Sequence, residues 1–146
     1  MRKINYIVVH CSATREGCTL TSEVLEAEHR RRGFRTTGYH YYIRRDGTVL
    51  GTRSLELPGA HCRGHNKYSI GICYEGGLDA RGNPKDTRTP EQRSALHLLV
   101  YQLLRDYPGS RLCGHRDLSP DLDGDGTVEP WEWVKQCPCF EVSKEF

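Results

Sequence analysis

The chain has 146 residues, about the size of one domain, and 27% of them are charged; no apolar run approaches the ~20 residues that span a bilayer, which excludes membrane insertion. A net charge of +2, from 21 Lys+Arg against 19 Asp+Glu, is far from the basic footprint of a nucleic-acid-binding domain, so no nucleic-acid partner is expected. There are seven cysteines, an odd number, and the first apolar stretch is too short for a signal peptide, so synthesis in a reducing cytoplasm is expected, where a thiol is more often a ligand, a nucleophile or a small buried hydrophobe than a disulfide half.

Residues 4–10 are short and β-branched and predict a buried first strand, followed by a Ser/Thr/Gly-rich loop at 12–19. Thr21 is placed to cap a helix that ends at Gly33, with Leu20 and Leu25 spaced for a hydrophobic staple. Arg30, Arg31, Arg32 and Arg35 gather at its C-terminal end, where cations suit the helix dipole. Residues 39–45 and 48–53 flank Asp46-Gly47 and predict a hairpin. Alternation puts Tyr39, Tyr41 and Ile43 on one face and His40, Tyr42 and Arg44 on the other. A loop at 57–69 carries His61, Cys62 and His65, and Ser69–Tyr74 reads as a central strand. Thr89-Pro90-Glu91-Gln92 combines an N-cap, a proline at the first helical position and a capping-box glutamine; it opens a helix with the stripe Leu96, Leu99, Val100, Leu103 and Tyr107. Residues 111–115 form a last short strand, then come a long loop, a short helix around 131–135 and a tail. Strands alternating with two helices, without internal repeats, predict an α/β fold, a central mixed β-sheet flanked by helices, with residues 1–146 as a single domain.

His10 and His115 fall at the C-terminal ends of two predicted strands, where open α/β sheets gather their ligands. The loop that begins at His115 ends on Cys137 and Cys139, and two imidazoles with one thiolate make an open tetrahedral zinc site with a fourth position for water. Either thiol can serve, because Cys-x-Cys in extended chain projects both side chains to one face. Cys11, Cys62, Cys73 and Cys113 read as small buried hydrophobes.

Within the same loop, residues 121–132 fit the twelve-residue EF-hand pattern: acidic at positions 1, 3 and 5, Gly at 6, apolar at 8 and Glu at 12. Calcium would take carboxylates of Asp121, Asp123 and Asp125, the Thr127 carbonyl, Glu129 directly or through water, and both oxygens of Glu132. Pro120 argues against a regular incoming helix, and no paired second loop exists, so a polar Asp/Gly turn is the alternative. A bound calcium would fix the start of the helix that delivers Lys135 and Cys137.

The blocks Ile7-Val8-Val9-His10-Cys11-Ser12-Ala13-Thr14, Gly38-Tyr39-His40-Tyr41-Tyr42-Ile43 with Asp46-Gly47, Gly59-Ala60-His61, Ser69-Ile70-Gly71-Ile72, Gly114-His115-Arg116-Asp117 and Lys135-Gln136-Cys137-Pro138 occur in one order. In that order they resemble the zinc-dependent N-acetylmuramoyl-L-alanine amidases, which include phage-type lysozymes and share the peptidoglycan-recognition-protein fold. The resemblance covers nearly the whole chain. It implies His10, His115 and Cys137 as zinc ligands, Tyr39 and Lys135 as catalytic side chains, and peptidoglycan as substrate, cut between N-acetylmuramic acid and L-alanine. His61 and His65 either line the glycan–peptide groove or close a loop. A non-catalytic peptidoglycan-binding module and a cytoplasmic amidase recycling muropeptides are the alternative readings. The protein is expected to be a monomer that reaches the wall after release or export, most simply in phage or prophage lysis.

Overall fold

The computed structural model describes residues 2–146. In chain order the regular elements are β1 (Tyr6–Cys11), β2 (Thr14–Arg15), α1 (Ser22–Arg31), β3 (Tyr41–Ile43), β4 (Val49–Gly51), β5 (Ser69–Tyr74), β6 (Gly77–Leu78), α2 (Pro90–Asp106) and β7 (Arg111–Gly114), with short 3-10 turns between them. The main sheet runs β4-β3-β5-β1-β7. It is mixed: β1 pairs parallel with β5 and β7, β3 pairs parallel with β5, and only the β3–β4 hairpin is antiparallel.

β1 and β5 are buried almost throughout, the pattern of strands covered on both faces. Ile7 and Val9 of β1, Ile70, Ile72 and Tyr74 of β5 and Ile43 of β3 pack with the α2 stripe of Leu96, Leu99, Val100 and Leu103. Each of these buried aliphatic side chains contributes about 1.5–3 kcal/mol. On the other face, Tyr42 and Cys73 meet Leu25 of α1, with Leu20 and Tyr39 against them. This second face holds His10, Ser69 and Gly71, and the candidate site is built there.

Local signals place both helices. The Thr21 side chain accepts from Val24 N–H, and Gly33 follows α1 at φ +95°. Thr89 and Gln92 close a reciprocal capping box. The Gln92 side chain is fully buried and also donates to the carbonyls of Glu75 (2.9 Å) and Ile43 (3.2 Å), tying α2 to the sheet.

Three expectations need correction. The regular part of β3 starts only at Tyr41, because Thr52 and Arg53 both donate to the His40 carbonyl, two residues opposite one as in a bulge. Alternation is lost there, and Tyr39 lies on the face of Tyr42 rather than that of Tyr41 and Ile43. His115 is not the end of β7 but opens a 3-10 turn, His115–Leu118, after the Gly114 N–H donates to the Asp117 carboxylate at 2.8 Å. The short helix at 131–135 is a single turn, Pro130–Glu132, because the Val134 N–H leaves the helical path and donates to Ser119 Oγ at 3.0 Å. Lys135 and Cys137 therefore sit on irregular chain.

Candidate metal centre and its cleft

The β1–β7 register pairs Val9 with Gly114, so the next residues, His10 and His115, emerge side by side with ring centroids 4.5 Å apart. Cys137 is brought to them from the C-terminal segment. Its Sγ accepts from the Cys11 N–H at 3.1 Å, and its carbonyl accepts from the Arg116 N–H at 2.9 Å. Pro138 packs over Gly114, where an added Cβ would lie 2.7 Å from Pro138 Cδ, and its carbonyl accepts from the Tyr74 hydroxyl at 2.6 Å. These contacts bring one ligand atom from each of His10, His115 and Cys137 within 4.8 Å of one another. Two imidazoles and a thiol at that spacing fit an open zinc site.

Cys139 lies outside this group because of the local backbone. The chain is not extended at Cys137-Pro138-Cys139; Cys139 has φ +71°, its Sγ lies 3.9 Å from Cys11 Sγ, and it donates to the Gly77 carbonyl at 3.3 Å. All seven cysteines are free thiols, and Cys11, Cys62, Cys73 and Cys113 are buried as expected of small hydrophobes.

Burial, reinforced by His61, His115 and Lys135, holds the His10 imidazole well below its ordinary pKa. Burial and the nearby Lys135 bring His115 down to about 4. Both rings are neutral at pH 7, the state in which a histidine can offer a lone pair to a metal. The Tyr39 ring lies 5.1 Å from that of His10. Burial and the neighbouring thiols of Cys73, Cys137 and Cys11 raise its phenol well above the usual value, so it remains a hydroxyl donor.

The centre opens into a cleft of about 1010 Å³ lined by His115, Lys135, His61, His65, Arg32 and Arg111 among others. Lys135 is exposed. His65 lies edge-on to Tyr6 at 5.7 Å and offers its ring to the cleft. His61 reaches the same wall but is buried, and both its ring nitrogens are engaged: Nδ1 with His10 Nε2 at 2.8 Å and Nε2 with Ser69 Oγ at 3.1 Å. Sequence reasoning missed this role and its supports, Ser69 and Asn66, whose Oδ1 accepts from the His61 and Cys62 amides. The one local signal was Gly71, a glycine inside an apolar strand, which marks close approach of another group.

In the 121–132 loop, carboxylate oxygens of Asp121, Asp123 and Glu132 converge, as do those of Asp123, Asp125 and Glu129. Gly124 and Gly126 take positive φ, which lets the loop fold back on itself. Glu132 is 2% exposed, and its carboxylate accepts from the amides of Glu129, Asp123 and Leu122. The Thr127 N–H donates to Asp125 Oδ1 at 2.9 Å. Hydrogen bonding to Glu132 and Asp125 pushes the Glu129 carboxyl up to about 8, the mark of crowded negative charge.

Comparison with known proteins gives a consistent picture. Residues 1–138 match the family described as N-acetylmuramoyl-L-alanine amidase. A protein of Haemophilus influenzae described as uncharacterized is 47% identical over 97 residues, 66% of this chain and 84% of its own. The endolysin of Enterobacteria phage K11 is 36% identical over 136 residues, 93% of this chain and 81% of its own. The solved structure of the N-acetylmuramoyl-L-alanine amidase LysC from Clostridium intestinale superposes with a TM-score of 0.75 at 28% identity, covering 99% of this chain and 82% of that one.

Proposed function

Because the chain belongs to the N-acetylmuramoyl-L-alanine amidase family and is a peptidoglycan hydrolase of that activity, we propose that His10, His115 and Cys137 form its zinc centre and that residues 1–146 work as one catalytic domain in a monomer. The observation that carries the reading is the donor set: two neutral imidazoles and a thiol converging beside an open cleft, which His115 lines. Zinc held there by His10, His115 and Cys137 would polarise the amide carbonyl and acidify a water to a pKa of ~7. Tyr39, kept protonated by burial, donates its hydroxyl hydrogen to the oxyanion that develops as the carbonyl carbon becomes tetrahedral. Lys135, at the cleft wall, adds positive charge toward the same oxygen. His65 faces the glycan–peptide strand in the cleft, while the His61 ring is turned to the protein interior. The substrate is met in the cell wall, after release or export of the enzyme.

The test is a metal count on the purified protein beside hydrolysis of isolated sacculi, followed through new L-alanine amino termini. One zinc per chain is expected, and Cys137→Ala and His115→Ala are each expected to lose it along with at least about 10³-fold in rate. Wild-type rates in zinc-free Cys137→Ala would overturn the assignment.

We also propose that the 121–132 loop takes a calcium ion through Asp121, Asp123, Asp125, the Thr127 carbonyl, Glu129 and Glu132. The convergence of its carboxylates supports this, since a divalent cation would take the place of the hydrogen that Glu129 shares with Glu132 and Asp125. Calcium titration of metal-depleted protein, read by Trp131 and Trp133 fluorescence, is expected to saturate in the wild type and not in Asp123→Ala. No response at millimolar calcium would refute it.

A further inference from the structure

Among the buried groups with no assigned part in the chemistry, His61 and Ser69 are the most constrained. Ser69 is fully buried on β5, His61 is 9% exposed and His10 1%. The His61 ring lies in a notch left by two glycines: an added Cβ would come within 2.4 Å of its Cδ2 at Gly59 and 2.6 Å at Gly71. Its backbone is pinned by Asn66, which accepts from the His61 N–H at 2.9 Å. A ring held this closely presents its two nitrogens in fixed directions, Nδ1 to His10 and Nε2 to Ser69.

A neutral imidazole has one donor and one acceptor nitrogen, so a single hydrogen lies between His10 Nε2 and His61 Nδ1. If His61 were the donor there, His10 would carry its own hydrogen on Nδ1 and have no lone pair left for a metal. If His10 Nε2–H is the donor, its Nδ1 is free to face His115 and Cys137, and His61 carries its hydrogen on Nε2, directed at Ser69 Oγ. A hydroxyl oxygen can accept that hydrogen. The chain His10 Nε2–H to His61 Nδ1, His61 Nε2–H to Ser69 Oγ therefore satisfies every buried nitrogen while leaving one ligand nitrogen open.

We propose that His61 and Ser69 are positioning residues that lock His10 in the Nε2–H tautomer and in the ring orientation its metal requires. This rests on His10 being a metal ligand, as proposed above. Partners that hold the second nitrogen of a ligand histidine typically govern metal affinity by about 10–100-fold.

The experiment compares zinc affinity, by chelator competition, in the wild type, His61→Phe, His61→Asn and Ser69→Ala, beside the histidine tautomers in zinc-loaded wild-type protein read from ¹⁵N NMR. Phe fills the notch but offers no acceptor, whereas the Asn Oδ1 lies near the place of Nδ1 and can accept from His10. His61→Phe is expected to weaken zinc binding by about 10–100-fold, and His61→Asn to recover most of that loss despite its poorer fit. A merely structural histidine would give the reverse order. NMR is expected to show His61 protonated on Nε2. Should His61→Phe not fold, Ser69→Ala carries the test: it removes the acceptor for Nε2–H and is expected to weaken zinc binding and mix the His61 tautomers. Zinc binding in His61→Phe as tight as wild type, no recovery in His61→Asn, or His61 protonated on Nδ1 would each overturn the proposal. Wild-type protein that binds no zinc would instead overturn the metal assignment on which it rests.

Discussion

Gly71→Ala tests the notch directly. Gly71 has ordinary strand geometry, so alanine imposes no backbone penalty and the effect comes from space alone. The new Cβ would lie 2.6 Å from His61 Cδ2 and Cγ and 2.9 Å from Nδ1. Carbon atoms in contact rest at about 3.5–4.0 Å, so the ring must retreat by about 1 Å. The 2.8 Å contact with His10 and the 3.1 Å contact with Ser69 lie on opposite nitrogens of that ring, and it cannot move so far and keep both. Overpacking costs about 1–3 kcal/mol and a buried unpaired donor a further ~1–3, offset by roughly 1 kcal/mol from the buried methyl and the lost glycine entropy. The expected net loss is about 1–5 kcal/mol in urea unfolding of the zinc-free protein, with zinc affinity falling about 10–100-fold. A variant within about 0.5 kcal/mol of wild type that binds zinc equally well would refute the reasoning.

Tyr39→Phe is expected to lower kcat on peptidoglycan by about 10²–10³-fold with zinc stoichiometry unchanged, since the ring packing survives and only the donor is lost; an unchanged kcat would remove Tyr39 from the chemistry. His40, buried and accepting from the Gly71 N–H at 3.0 Å, is brought down to about 4 chiefly by burial. As pH falls, the unfolded chain takes up this proton first, near 6.5, so the stability contribution is full above that value and is lost progressively down to about 4, at most roughly 3 kcal/mol. Urea unfolding at pH 7 and 4.5 is expected to show about one proton less of linkage in His40→Gln than in wild type. Arg88, fully buried at its side chain, is paired with Asp86 and Glu145, and its hydrogen bonds hold the Glu145 carboxyl below its ordinary range. That contribution is present above the unfolded pKa near 4.5 and lost as pH falls through the folded one, so Glu145→Gln is expected to cost about 1–2 kcal/mol at pH 7 and much less at pH 3, measured by urea unfolding.

What could be read along the chain was whatever a few neighbouring residues decide. Thr21 and Thr89 cap helices because a hydroxyl reaches amides three residues on, and Asp46-Gly47 makes a hairpin because Gly47 adopts φ +89°. Ser69–Tyr74 needed only its apolar run, and His10 was legible as a residue near the end of its strand, whereas His115 lies one residue past the end of β7. The 131–135 helix failed because Ser119, distant in sequence, captures the Val134 amide.

The tertiary structure decided which groups meet. Cys137 rather than Cys139 faces the histidines because the chain turns between them and the Cys11 amide, from the other end of the sequence, holds Cys137 Sγ. Tyr39 reaches His10 because a bulge opposite His40 turns it to the other face of the sheet, a shift that period-two alternation cannot register. His61 is committed to His10 and Ser69 because two glycines leave its ring nowhere else to lie. Residue types and spacing specify which chemistry a chain can perform, but the direction of a lone pair depends on contacts made across the fold, and no local pattern contains them.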